Sequence, residues 1–308
     1  MQSIRHAHSK PTFQALKSTF MSAGNLCAAT LRIPAGHDGS PLPTILMVHG
    51  WGGIQDALTP PFYEEFTRAG FAVMTFDYPG WGDSAGLPRN GINPKQRVRD
   101  ADAALAHLKS LPQVDAAQIV LWGSSFGGGH TIELAAEHPE LMGAIAQVPM
   151  LDGMAAVLAV PFLTMLRFGL YAFADLFRFG GPVYLPVVSA PGEFGSMDRD
   201  DAYKALVMAS AAIGRQYDNR VTGRSLLTMG PYRPAKRLKD IRIPTLIVGG
   251  TRDTVAPFIE SKIHSVKNPC LQVRTVEANH FEPYFEPAFS TLIEFELQFL
   301  RSLLKRSI

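Results

Sequence analysis

Short, continuous apolar runs alternate with segments of helical spacing along most of this chain. Pro43–His49 (PTILMVH), Phe71–Asp77 (FAVMTFD) and Gln118–Trp122 (QIVLW) have the unbroken apolar character of strands covered on both faces. Ala144–Val148, Thr245–Val248 and Leu271–Val276 continue the series. Phe13–Met21 and Leu26–Pro34 read as an opening hairpin with Gly24-Asn25 at the turn. Helices fit between the runs. Pro60–Ala69 is one, and Pro94–Leu111 places Val98, Ala101, Leu105 and Leu108 at helical spacing. Ser125–His138 follows the Gln118 run directly, and Ala288–Leu304 is a closing amphipathic helix. This alternation predicts an α/β fold with a mostly parallel, eight-stranded sheet and helices on both faces.

One interval breaks the alternation. From Gly153 to Asp240 no sheet strand is evident, and the apolar pattern is helical. The segment 153–240 is therefore read as a helical cap inserted into a core made of 1–152 and 241–308. Within it Leu163, Leu166, Leu170, Phe173 and Phe177 recur at spacings of three and four, surrounded by Phe162, Met165, Phe168 and Tyr171. A single helix face cannot absorb all of these. Some are expected to line an apolar pocket, with Met150, Leu166, Tyr171 and Gly52 as candidate substrate contacts. The competing expectations are packing of the cap on the core and a homodimer contact.

Composition narrows the class. Apolar residues make up 46% and charged residues 18%, a globular balance, and the net charge of +2 with no dense basic block gives no nucleic-acid footprint. The apolar stretch from Met154 to Phe179 is interrupted by Pro161, Arg167, Gly169, Asp175 and Arg178, so a membrane span is not expected. It also lacks the basic face of an interfacial helix. The N-terminus is polar, without the apolar core of a signal peptide. Cys27 and Cys270 form no CxxC pair and read as reduced thiols. A cytoplasmic location is the expectation.

The chemistry is carried by Gly123-Ser124-Ser125-Phe126-Gly127, a G-x-S-x-G sequence that ends a strand and opens a helix. Glycines two residues to either side relieve the collisions of a sharp turn around Ser125, whereas Ser124 would have Trp122 and Phe126 there. A serine hydroxyl needs a base. His280 follows the last predicted strand, while His130, His138 and His264 belong to helices. An acid must orient that base. Asp253, directly after the Thr245 strand, is favoured over Asp152, which follows the Ala144 strand. The order Ser125, Asp253, His280 then follows the chain order of this strand–turn–helix chemistry. His49-Gly50-Trp51-Gly52-Gly53 supplies a flexible backbone after the Pro43 strand. An oxyanion needs two backbone N–H donors, assigned to Phe126 and to Trp51 or Gly52.

With these pieces assembled, the chain resembles the serine α/β-hydrolases. The segments are HGWGG at 49–53, FDYPGWGDS at 76–84, VDAAQIVLWGSSFGG at 114–128, IPTLIVGGTRD at 243–253 and ANHF at 278–281. The dienelactone-hydrolase-like and S15/S33 peptidase-like branches are most similar. The resemblance implies the α/β-hydrolase fold and ester hydrolysis through an acyl-Ser125 intermediate on a small acyl substrate, with no metal or organic cofactor. It leaves open thioesterase, peptidase and acyltransferase activity on the same triad, and a ligand-binding protein that does not turn over. An aminopeptidase would need a carboxylate for the substrate amine, and Glu193, Asp198, Asp200 and Asp201 lie in the cap segment.

Overall fold

The computed structural model describes residues 13–177, 180–199 and 201–306. The expectations about the N-terminal twelve residues and about Arg178, Phe179 and Asp200 lie outside this set. The chain opens with β1 (Phe13–Ser22) and β2 (Asn25–Pro34), an antiparallel hairpin in full register. Its two turn residues are Ala23 and Gly24, both at positive φ, so the turn sits one residue earlier than the Gly24-Asn25 expectation. Two residues of this backbone hand match the twist of the strands they join.

The remaining elements follow the predicted alternation. They are β3 (Leu42–Val48), α1 (Pro60–Arg68), β4 (Ala72–Phe76), α2 (Pro94–Lys109), β5 (Val114–Ser124), α3 (Phe126–Glu137) and β6 (Gly143–Gln147). The sheet holds eight strands in the order β1-β2-β4-β3-β5-β6-β9-β10, where β9 is Thr245–Gly250 and β10 is Leu271–Val276. Only the pairings of β2 are antiparallel. β4 and β6 are buried along their whole length, as strands under helices on both faces must be. The closing helix α8 (Ala288–Arg306) shares a face with α1. Phe62 of α1 packs at 5.1 Å from both Trp122 of β5 and Phe289 of α8.

Between β6 and β9 lie α4 (Gly153–Leu158), α5 (Phe162–Phe177), a two-stranded ribbon β7–β8 (Tyr184–Leu185 with Val221–Thr222), a π turn at Lys204–Met208 running into α6 (Ala209–Ala212), and two 3-10 segments. No described residue of this interval joins the main sheet. The ribbon adds strand content that the helical reading lacked. Asp175 fixes α5 from its buried side: fully shielded, it meets Arg224 at 2.6 Å and accepts the N–H groups of Val183 and Arg224. A short helix α7 (Glu260–His264) precedes β10. Among the described residues no helix is long and apolar enough to cross a membrane.

Candidate active site

The carboxyl ends of β3, β5, β9 and β10 converge, and each carries one part of the site. At the end of β5 the chain turns into α3 so sharply that Ser125 takes φ 57° and ψ −124°. That backbone is strained for a residue with a side chain, and such strain collects at functional positions. The neighbouring glycines make the turn possible. A Cβ on Gly123 would overlap the Gly127 carbonyl and the Thr131 hydroxyl, and one on Gly127 would overlap the Val48 carbonyl. Ser124 points the other way, buried, with its hydroxyl against that of Tyr284.

His280 lies in the turn after β10 and Asp253 in the turn after β9. His280 Nε2 is 2.8 Å from Ser125 Oγ, and Nδ1 is 2.7 Å from Asp253 Oδ2. With Nδ1 donating to the carboxylate, Nε2 is bare and accepts the serine hydroxyl. Asp253 is itself held by the N–H groups of Val255 and Ala256 on Oδ1. Asp152 takes another part: it caps α4 through Met154 and Ala155 and pairs with Arg233 at 2.8 Å.

The loop after β3 packs on the nucleophile turn. An added Cβ at Gly50 would stand 3.0 Å from Ser125 Cβ and 3.2 Å from Phe126 N. Among the described residues, the backbone N–H groups of Trp51 and Phe126 have no protein acceptor. The Trp51 and Phe126 rings meet edge to face at 5.4 Å. Gly52 has φ 71°, and its carbonyl accepts from Tyr217 at 2.8 Å. The Trp51 indole donates to Ser196 Oγ at 3.0 Å. His49 lies beneath, and burial, then the nearby Arg97 charge, push its pKa down to about 3. It is therefore neutral and donates from Nε2 to Phe76 O at 2.7 Å.

Ser125 opens onto a cavity of about 300 Å³. Trp51, Phe126 and Met150 form its floor, and Met165, Phe168 and Gly169 of α5 form part of its wall. Of the four candidate substrate contacts, Met150 lies in the cavity. Leu166 and Tyr171 lie outside its lining, Leu166 being 56% exposed and Tyr171 packed on Phe194. Gly52 is turned to Tyr217 and Val187. The phase of α5 is the reason. Its buried face follows Phe168, Ala172 and Asp175, so the more continuous stripe of Leu163, Leu166, Leu170 and Phe173 faces outward. Arg199 is the one charged side chain among the described lining residues, and it pairs with Asp198. Glu193 is exposed, as is Asp201. Among the described residues no group of three His, Cys, Asp or Glu could hold a metal ion. Cys27 and Cys270 are both free thiols.

Tyr217, Ser196 and Arg97, which all hydrogen-bond the loop after β3, carried no motif in the sequence. Arg97 alone left a trace: it occupies the buried phase of α2 with Ala101, Ala104 and Leu108, where a cation is out of place.

Comparison with known proteins agrees with this architecture. The family model described as serine aminopeptidase, S33, matches residues 39–271. The quorum-quenching protein AidA of Acinetobacter baumannii is 32% identical over 282 residues, spanning 90% of this chain and 91% of that protein. A thiohydrolase of Aspergillus aculeatus, aneE, is 23% identical over 85% of this chain and 86% of its own. Among solved structures, the α/β-hydrolase GrgF from Penicillium superposes with a TM-score of 0.74 at 23% identity, covering 94% of this chain and 98% of that one.

Proposed function

The chain belongs to the serine aminopeptidase S33 family of α/β-hydrolases, and from that premise we propose that it cleaves a carboxylic ester of a small, largely apolar substrate through an acyl-Ser125 intermediate. The observation that carries this reading is the relay Ser125–His280–Asp253 opening onto an apolar cavity. His280 Nε2 takes the Ser125 proton as Oγ bonds to the acyl carbon. The carbonyl oxygen becomes an anion held by the N–H groups of Trp51 and Phe126. His280 then gives its proton to the leaving alkoxide as the C–O bond breaks. Water, deprotonated by the same nitrogen, attacks the acyl-serine and releases the acid. Asp253 keeps the imidazole in the required tautomer and stabilises the imidazolium. No step calls for a metal or an organic cofactor.

The cavity wall argues against aminopeptidase chemistry in this member of the family. A substrate ammonium needs a carboxylate partner, and among the described lining residues the charged group is Arg199. A thioester is the second reading, favoured by the thiohydrolase relative. We assign 153–240 as the cap, since its α5 closes the cavity over Ser125. A reducing, cytoplasmic location accords with the two unpaired cysteines.

The outer face of α5 supports a homodimer. Phe162, Leu163, Leu166, Leu170, Phe173, Leu176 and Phe177 are each more than half exposed. Contiguous exposed apolar faces mark interaction surfaces more often than monomer surfaces, and a second copy of this chain is the occupant assigned to this one.

Fluorophosphonate labelling followed by intact-protein mass spectrometry tests the mechanism. One adduct on wild type and none on Ser125→Ala, with turnover of p-nitrophenyl esters, is the expected result. Absence of both adduct and turnover in folded wild type would favour a non-catalytic binding protein.

A further inference from the structure

Arg97 is a buried cation, 2% exposed, on α2. Its guanidinium lies 4.3 Å from the Tyr78 ring and 5.1 Å from the Trp81 ring. Nη1 donates to the Gly50 carbonyl at 2.9 Å, while Nε and Nη2 have no partner among the described residues. The nearby Asp100 carboxylate accepts from Ser22 and Gln96 instead. Burying a charge without a paired anion is unfavourable, so a position that keeps one invites a reason beyond packing.

The reason lies in the atom it touches. Gly50 O and the Trp51 N–H belong to one peptide unit, which is planar and holds its C=O and N–H in opposite directions. A donor fixed on the oxygen therefore fixes where the N–H points. The Gly53 N–H also donates to Gly50 O, at 3.1 Å, so two donors hold this carbonyl. Polarisation by a cation further strengthens the N–H as a donor, because hydrogen bonds in series reinforce one another. The same peptide lies against the Ser125 turn, through the close approach of Gly50 to Ser125 Cβ and Phe126 N.

We propose that Arg97 is a positioning residue for the oxyanion hole: through Gly50 O it orients and polarises the Trp51 N–H toward the charge that develops on the substrate. This rests on the oxyanion role given to Trp51 above. The effect belongs to the tetrahedral state, so it falls on kcat and spares KM.

The test compares wild type, Arg97→Met and Arg97→Lys on a p-nitrophenyl ester and on a trifluoromethyl ketone that forms an anionic adduct with Ser125. Loss of a whole oxyanion donor lowers kcat about 10²- to 10³-fold. Misorientation of one should lower it about 10- to 100-fold in Arg97→Met, with KM within about twofold. Ketone affinity should fall in parallel, while affinity for the product acid holds. Arg97→Lys restores the cation and should recover part of kcat. If Arg97→Met does not fold, Arg97→Gln, which keeps a neutral donor and loses the charge, decides: a kcat loss at constant KM supports the role, and an unchanged kcat overturns it. A purely structural Arg97 would lower Tm and leave kcat, KM and ketone affinity in their wild-type ratios. Wild type that neither labels at Ser125 nor turns over would instead overturn the hydrolase reading on which this one stands.

Discussion

Asp253 and His280 meet at 2.7 Å with neither side chain exposed to solvent. A charge-assisted contact of this kind, dry and doubly anchored by the Val255 and Ala256 N–H groups, holds one imidazole tautomer. Asp253→Asn should lower kcat about 10³- to 10⁴-fold while the protein still folds. Asp152→Ala should leave kcat near wild type and cost about 1 kcal/mol through the lost helix cap. Steady-state kinetics beside thermal melts distinguish the two. The reverse ranking would move the acid to the end of β6.

Glu296 on α8 is buried against Trp122, whose indole N–H lies 3.1 Å from both carboxylate oxygens. Burial pushes its pKa up to about 8. Between roughly pH 4.5 and 8 the folded protein keeps a proton that the unfolded chain has released, so this group makes stability decline as pH rises and level off above 8. Glu296→Gln retains an acceptor for Trp122 and cannot ionise. Its Tm advantage over wild type should widen from pH 6 to pH 9. A pH-independent difference would refute the assignment.

Gly169 stands on the cavity wall inside α5, and a Cβ there meets nothing within 4 Å. Gly169→Phe should therefore be tolerated by the fold, and even favoured by helix propensity, while filling the cavity. Ester series of increasing acyl length should show kcat/KM falling more than about tenfold for long chains, with the acetyl ester little changed, since each excluded methylene is worth roughly 0.8 kcal/mol. Uniform behaviour across the series would mean that the acyl chain lies elsewhere.

The outer stripe of α5 should be covered in solution. Light scattering coupled to size exclusion is expected to give a dimer for wild type and a monomer for Leu166→Ser/Phe173→Ser, with the Ser125 label retained in both. A wild-type monomer at micromolar concentration would rule out the second copy as the occupant.

The candidate triad that the structure brings together was legible because serine-hydrolase chemistry would place it in chain order at strand ends: a serine between two glycines, an aspartate and a histidine each one turn beyond an apolar run. The sheet was legible for the same reason, down to eight strands. The cavity wall was not. In α5 nearly every position is apolar, so spacing alone gave the stripe with the clearest period, and that stripe turned out to face away from Ser125. What set the phase was Asp175, whose carboxylate is tied to Arg224 forty-nine residues on, a pairing that no local pattern announces. The hairpin turn slipped by one residue because Ala23 accepts a positive φ that glycine or asparagine would normally supply.

The hydrogen bonds from the Trp51 indole to Ser196 and from Tyr217 to the Gly52 carbonyl join the inserted segment to the loop proposed to hold the oxyanion. A chimera that borrowed residues 153–240 from another member of the family would thus exchange more than the walls of the binding site. It would also discard two anchors of the loop after β3, so on the proposed mechanism altered selectivity and diminished turnover would arrive together unless positions 196 and 217 were kept. Diversification of this insert is therefore constrained at those two points as well as at the Asp175–Arg224 pair that sets the phase of α5.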